Sequence, residues 1–144
     1  MADLIANNVL VACVVAWSVA QVSKPVLHYV HTRRFNFRYL LSAGGMPSSH
    51  SAVVVALATR IGLETGLSSI PFALAAVFAA VVMYDAAGVR RAVSLQARVL
   101  NRMLTEMIEA QHFNEHRLRE LIGHTPFEVF VGALLGALSA ISIR

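Results

Sequence analysis

Long apolar runs alternate with short polar segments along this chain. Residues 4–23 and 65–84 contain no charged side chain, and each run supplies the ~20 helical residues that cross about 30 Å of hydrocarbon. The second of these runs belongs to a span placed at residues 71–88, and two further apolar segments at residues 49–63 and 127–143 bring the expected total to about four spans. The pattern therefore predicts an all-α integral membrane protein with about four transmembrane helices.

Individual residues mark the boundary between the first two spans. Lys24-Pro25 combines a charge with a helix breaker and is expected to end the first span. The chain from there to residue 43 is rich in arginine and aromatic side chains, which suit an interfacial segment in the headgroup layer. Pro47 fits the first turn of the second span, and Ser48 or Ser49 can cap that helix.

The later boundaries follow the same logic. Residues 66–71 predict a tight turn before the third span. The fourth span begins with Thr125, Pro126 and Glu128, which have the spacing of a capping box with proline at the first helical position. Helix initiation alone would therefore be a sufficient role for Glu128.

Residues 90–122 change to the periodicity of an amphipathic helix. An apolar stripe is opposed by charged side chains; the stripe is Val99, Leu100, Met103, Leu104, Met107 and Ile108, and the charges are Arg98, Arg102, Glu106 and Glu109. A break is expected at residues 111–115 and a stop at Gly123. We expect one or two interfacial amphipathic helices.

The composition supports the membrane assignment. With 57% hydrophobic and 14% charged residues among 144, a soluble helical protein would have too little interior to hide its apolar side chains. Residues 1–144 are expected to form a single domain. The lone Cys13 excludes a disulfide within the chain. No basic segment precedes residues 4–23, which are interpreted as a retained span rather than a signal peptide.

Alternate crossing of the membrane places a group of ionisable residues on one face: Lys24, His50, Asp85 and His124. Ten of the twelve Lys and Arg residues share that face, so the positive-inside rule predicts that it is cytoplasmic, in the cell membrane if the source is bacterial. Cations retained to bind a phosphate would produce the same bias on an outward face. Ionisable groups that converge near hydrocarbon indicate a functional site.

The stretch GGMPSSHSA, residues 44–52, is the most polar interruption of the apolar pattern. A helix start supplies free backbone N–H groups and a positive dipole end, and the glycines and proline before it let backbone approach a ligand closely. This is an anion-binding shape. His50, within the first turn, can donate a proton to an oxygen that leaves the bound anion.

Three stretches resemble a known family. MPSSHSA resembles the second signature of the type 2 phosphatidic acid phosphatase superfamily, and GHTPFEVFVGALLG resembles its third. GGMPSSHSA, VMYDAAGVRRA and GHTPFEV together resemble the divergent branch of that superfamily, described as acid phosphatase or vanadium-dependent haloperoxidase related. The resemblance covers residues 24–136.

The resemblance implies a phosphatase mechanism for a single membrane phosphatase-like domain. His124 would attack phosphorus as the nucleophile, His50 would protonate the leaving group, and Glu128, in place of the family aspartate, would orient His124. By the same resemblance, Lys24, Ser48 and Ser49 would hold the phosphoryl oxygens. The resemblance to the divergent branch adds Asp85, Arg90 and Arg91, which end the third span on the same face. The scheme requires no metal and no cofactor.

The chain departs from the superfamily pattern at several positions. His31 and Leu118 stand where arginines are expected, and Ser49 replaces a glycine. Asp85 could instead pair structurally with an arginine at a helix end. His112 and His116 have metal-ligand spacing, but the interpretation as a solvated helix face is favoured.

The leading hypothesis is a lipid phosphatase that hydrolyses a phosphomonoester or diphosphate through a phosphohistidine. The alternative is a catalytically inactive phospholipid-binding scaffold or lipid transporter of the same fold. The expected partners are a phosphorylated lipid and the membrane, without nucleic acid. Gly132 and Gly136 offer a flat face, which makes a homodimer a further hypothesis.

Overall fold

The computed structural model describes residues 6–37, 40, 44–110 and 123–143, and this part of the chain is helical and contains no strand. In these ranges, five α-helices follow one another: α1 (Asn8–Thr32), α2 (Ser49–Thr65), α3 (Ile70–Tyr84), α4 (Arg90–Ala110) and α5 (Pro126–Ser142). A single π-helical turn, Asp85–Val89, joins α3 to α4. The prediction of an all-α architecture is confirmed.

Among the described residues, two stretches are long and apolar enough to cross a membrane, Asn8–Val30 and Ile70–Thr105, and Pro126–Ser142 is a shorter apolar helix. Large apolar side chains lie on the outer surface of these helices, where a soluble protein would place polar groups; they include Val14, Trp17, Leu74, Val77, Phe78, Val81, Phe130, Leu134 and Leu138. This surface fits a lipid environment.

The predicted end of the first span at Lys24-Pro25 is wrong. α1 continues for seven residues beyond Pro25 to Thr32, where Arg33 adopts a left-handed conformation (φ 56°) and donates its N–H to Tyr29 O at 2.8 Å. Pro25 is fully buried. Packing outweighs the one hydrogen bond that proline removes, because a break at this depth would expose several more backbone groups to lipid.

The start of α2 also differs from the prediction in one detail. Ser48 is the N-cap, as expected, and its side chain accepts a hydrogen bond from Ser51 N. Pro47 lies before the cap instead of in the first helical turn. The predicted turn before α3 and the predicted capping box of α5 agree with the structure, since Ser69 caps α3 after the turn at Gly66 and Thr125 caps α5. The stop predicted at Gly123 concerns a segment, residues 111–122, that lies outside the described residues.

α2 is the central helix and packs against α5, α1 and α3. The core between α1, α2 and α5 is built from fully buried alanines; these are Ala12, Ala16 and Ala20 of α1, Ala52 and Ala56 of α2, and Ala140 of α5. Small side chains at such positions let helices approach closely, which is how helices associate where there is no hydrophobic driving force between them.

The glycines of α5 serve this packing within the chain. A Cβ at Gly132 would lie 2.3 Å from O of Ser48, the N-cap of α2, and one at Gly136 would lie 2.1 Å from O of Ala52, within α2. The flat face that suggested a homodimer is therefore occupied by α2, and the dimer hypothesis loses that support.

α3 and α4 form one continuous helical rod. The predicted boundary near residues 88–90 falls on the π-turn, where Arg90 N–H bonds to Asp85 O. α4 has the predicted amphipathic pattern. The expected break at residues 111–115 lies outside the described residues.

Candidate active site

The N-terminus of α2 is tied to the first turn of α5. Ser48 donates its backbone N–H to Glu128 O at 3.1 Å, and its hydroxyl accepts from Ser51 N at 3.4 Å and from Ser51 Oγ at 3.0 Å. Ser48 and Ser51 are fully buried, and Ser49 is buried beside them. Two helix starts, each with the positive end of its dipole, therefore lie side by side.

The capping box of α5 is formed as the sequence predicts. Glu128 Oε2 accepts from Thr125 N at 2.9 Å, and Thr125 Oγ1 accepts from Glu128 N at 3.3 Å. The same Glu128 Oε2 lies 3.4 Å from His124 Nδ1. One carboxylate oxygen thus faces both the capped amide and the imidazole, so helix initiation and orientation of His124 are compatible roles.

The π-turn positions the backbone of His124. Ala86 O accepts the His124 N–H at 3.2 Å. A Cβ at Gly123 would lie 2.4 Å from Arg91 Cα and 2.4 Å from Arg91 N, so only glycine allows this close approach to the start of α4. π-turns recur at functional sites because the wider turn changes which carbonyls are available to bond outside the helix.

The two histidines face each other across the helix starts. Their ring centroids are 6.3 Å apart and the ring planes are inclined by 60°. His124 is 2% exposed, whereas His50 is exposed. A buried imidazole backed by a carboxylate therefore lies next to an imidazole that water can reach.

Charged groups surround this pair. His50 lies within electrostatic range of Arg90, His124, Lys24 and Asp85. Lys24 of α1 is only 2% exposed, and it also lies within electrostatic range of Glu128. The polar residues expected on one membrane face are therefore close together in space.

Asp85 and Arg90, two of the residues expected to bind phosphate, form an ion pair with each other. Asp85 Oδ2 and Arg90 Nε are 2.7 Å apart, so the structural pairing considered for Asp85 is present. Arg91 is exposed and contacts the site region through its backbone at Gly123. Leu118 lies outside the described residues, as do His112 and His116.

Three contributors to the site were missed by sequence reasoning. Gln21, one turn before Lys24 in α1, is buried and donates to Leu40 O at 3.2 Å, which fastens the chain that leads into α2. An amide inside a long apolar run was a usable signal. The roles of Ala86 O and of Gly123 in holding His124 had no such signal, because they depend on the π-turn.

An apolar groove runs along the outer surface between α1 and α5. Its volume is about 540 Å³, and it is lined by Val19, Val22, Val26, Pro47, Val131 and Leu135, among others. Pro47 precedes Ser48, and Val131 lies one turn after Glu128, so one end of the groove adjoins the helix starts. Within the described part of the chain, no group of three or more His, Cys, Asp or Glu residues could hold a metal ion.

Comparison with known proteins identifies a family and a relative of similar length. A family model described as "Divergent PAP2 family" matches residues 5–139. The chain is similar to the uncharacterized membrane protein YuiD of Bacillus subtilis (strain 168), with 41% identity over 147 residues that cover 94% of this chain and 93% of that protein. No solved structure matches. This all-helical integral membrane chain, with its facing histidines at the starts of α2 and α5, belongs to the divergent PAP2 family.

Proposed function

We propose that the protein is a membrane-embedded phosphatase that hydrolyses a phosphomonoester or diphosphate of a lipid through a phosphohistidine intermediate. The observation that carries the proposal is the 6.3 Å separation of the His50 and His124 rings, with Glu128 Oε2 at 3.4 Å from His124 Nδ1. A nucleophile and a proton donor that act on one phosphate have to reach a common ligand, and two imidazoles this close to each other are compatible with that requirement.

In the first step His124 Nε2 attacks phosphorus and the bond from phosphorus to the ester oxygen breaks. The leaving oxygen takes a proton from His50. Glu128 stabilises the positive charge that develops on His124. In the second step His50 accepts a proton from water, which attacks phosphorus, and the phosphorus–nitrogen bond breaks to release phosphate and restore His124.

The phosphoryl oxygens need donors, since phosphoryl transfer depends mainly on positioning and charge stabilisation. The N–H of Ser48 is used by Glu128 O. The amides of Ser49 and His50, at the first positions of α2, have no acceptor within the helix by its geometry. We assign these two amides, Lys24 and Arg90 to the oxyanion, with Arg91 at the outer edge.

The groove between α1 and α5 favours a lipid over a soluble phosphate ester. Its lining is apolar, and it opens to the side of the bundle that faces hydrocarbon. Residues 18–27 of α1 line it over about 14 Å at 1.5 Å per residue, which matches roughly ten methylenes of an acyl chain. A lipid held there would present its phosphate at the level of the helix starts.

The alternative function, a non-hydrolysing phospholipid scaffold or transporter, has one observation in its favour. Arg90 is paired with Asp85, which withdraws part of its charge from a bound phosphate. Under this alternative the site binds phosphate but does not transfer it.

Leaving-group dependence tests the assignment of roles. Phosphate release is measured from a short-chain alkyl phosphate and from p-nitrophenyl phosphate, whose leaving group needs no proton. We expect His124→Ala to abolish release from both esters, and His50→Ala to lose about 10²- to 10⁴-fold on the alkyl ester but much less on the p-nitrophenyl ester. His28→Gln, a histidine of α1 outside the proposed machinery, is the matched control.

Release that is equal in wild type and His124→Ala would refute the phosphatase. Binding of a lipid phosphate without any release of phosphate, in wild type as well, would instead support the scaffold.

We also propose that the site opens to the cytoplasm, which thiol labelling of the Arg34→Cys variant in right-side-out vesicles would test. The homodimer stays a prediction to be checked by mass measurement in mild detergent.

A further inference from the structure

A line of exposed apolar side chains runs along the outer side of α3. Its members follow one another at alternating steps of four and three residues and are 61% to 77% exposed; they are Ile70, Leu74, Val77, Val81 and Tyr84. They face away from the core, because Ala75 and Ala79 on the other side of α3 are buried. Helices that carry apolar side chains at this spacing can pack together along their whole length.

The same spacing recurs on α4. It is followed by Val93, Ala97, Leu100, Leu104 and Met107. All of these except Ala97 are exposed, by 38% to 70%. The arginines Arg98 and Arg102 lie on the other side of α4, so the line is free of these like charges.

The π-turn brings the two lines to the same side of the helical rod. Val81 and Val93 are twelve residues apart, which in a regular α-helix would place them about 120° from each other. The π-turn Asp85–Val89 takes up one extra residue. Eleven residues remain, which are three helical turns, so Val93 lies on the same side as Val81. The two lines therefore form one apolar seam, here named the rod seam.

The rod is too long for the bilayer alone to cover this seam. At 1.5 Å per residue, the rod from Ile70 to Ala110 is about 60 Å long, twice the thickness of the hydrocarbon. The π-turn lies at the level of the helix starts, because Ala86 O accepts the His124 N–H, and α4 continues outward from there. Lipid therefore covers only the α3 part of the rod seam, and a soluble protein would cover only the α4 part.

We propose that two copies of the chain pack in parallel, with rod seam against rod seam. Copies inserted with the same orientation are related by a two-fold axis along the rods, which brings identical side chains together both inside and outside the bilayer. This surface differs from the glycines of α5, which α2 occupies. The packing does not depend on whether the site hydrolyses phosphate.

Two leucines of α4 provide a matched test. Leu100 is 48% exposed and lies in the rod seam, and Leu95 is 49% exposed and lies about 140° away. In a Cys13→Ala background, the Leu100→Cys, Leu95→Cys and Leu74→Cys variants of the full chain are reconstituted at low density in phosphatidylcholine vesicles and oxidised with copper phenanthroline. We expect the disulfide-linked dimer to form at least tenfold faster with Leu100→Cys than with Leu95→Cys, and Leu74→Cys, in the α3 part of the seam, to cross-link as well.

Charge substitutions give a second, independent measurement. In single-molecule photobleaching of the labelled chain, wild type should bleach in two steps, Leu100→Glu should shift most particles to one step, and Leu95→Glu should leave two. Both leucines are exposed within one copy, so neither charge disturbs the packing of the chain itself. Equal cross-linking rates for Leu100→Cys and Leu95→Cys would overturn the proposal. A wild type that bleaches in one step would overturn it too, as would cross-linking through Leu100→Cys without any through Leu74→Cys.

Discussion

An added methyl group at either Gly132 or Gly136 should push α5 away from α2. In Gly132→Ala the new Cβ would lie 2.3 Å from Ser48 O, and in Gly136→Ala it would lie 2.1 Å from Ala52 O. Ordinary van der Waals contact begins near 3.4 Å, so the helices have to move apart by about 1.1–1.3 Å. Neither obstacle can rotate away, because both are backbone carbonyls.

The cost follows from the contact that is lost. A gap of about 1 Å forfeits up to half of the dispersion energy at an interface, and α2 with α5 is the most extensive helix pair of the described chain. We therefore expect each variant to lose about 2–3 kcal/mol of the free energy of unfolding, near the top of the usual range for overpacking. The measurement is reversible unfolding in mixed detergent micelles.

Gly88→Ala is the matched control, because the same methyl group at that position meets nothing within 4 Å. It should change the free energy of unfolding by less than about 1 kcal/mol. If Gly132→Ala and Gly136→Ala proved as stable as Gly88→Ala, the glycine contact between α2 and α5 would be wrong. Gly132→Ala should in addition reduce phosphate release more than Gly136→Ala, since Ser48 belongs to the helix start that carries the proposed oxyanion site.

Three further predictions concern charged side chains. Glu128→Gln should change stability by less than about 1 kcal/mol in thermal unfolding, since glutamine also completes a capping box, but should lower phosphate release by about 10²-fold or more because the charge beside the imidazole is lost; an unchanged rate would contradict its orienting role. Arg60→Gln should lower the free energy of unfolding by about 1–2 kcal/mol, because the Arg60 side chain is 11% exposed and also bonds the end of α5. Glu64→Gln should lower it by less than about 0.5 kcal/mol, because the Glu64 side chain is 38% exposed. Equal losses for the two variants in chemical unfolding would contradict this prediction. Asp85→Asn should tighten inhibition by vanadate roughly two- to fivefold, as removal of a carboxylate releases Arg90 for the anion; weaker inhibition would mean that Asp85 holds Arg90 in its binding position.

The sequence predicted most helices because their signals are local. Caps at Ser48 and Thr125 and the turn at Gly66 depend on neighbouring residues, and these boundaries are observed. The continuation of α1 past Pro25 was not predictable in this way, because burial against other helices decided it. Gly132-x-x-x-Gly136 indicated close packing but could not indicate that α2 was the partner.

The candidate site, like the fold, was predictable from the sequence only in part. Alternate membrane crossing was enough to bring His50 and His124 to one face, and the motifs named Glu128 before its position was known. The acceptor that holds the backbone N–H of His124, Ala86 O, could not be foreseen, because a π-turn depends on how a helix packs and leaves no reliable pattern in the residues that form it.

The π-turn provides a carbonyl to the site without rotating the helix that follows it. A π-turn contains one residue more than the α-turn it replaces, so the extra residue is absorbed in the wider turn. Deletion of one residue from Asp85–Val89 would therefore restore regular α-helix and leave α4 facing nearly as before, but it would withdraw Ala86 O from the His124 amide. One extra residue thus decides whether the rod can hold the backbone of His124.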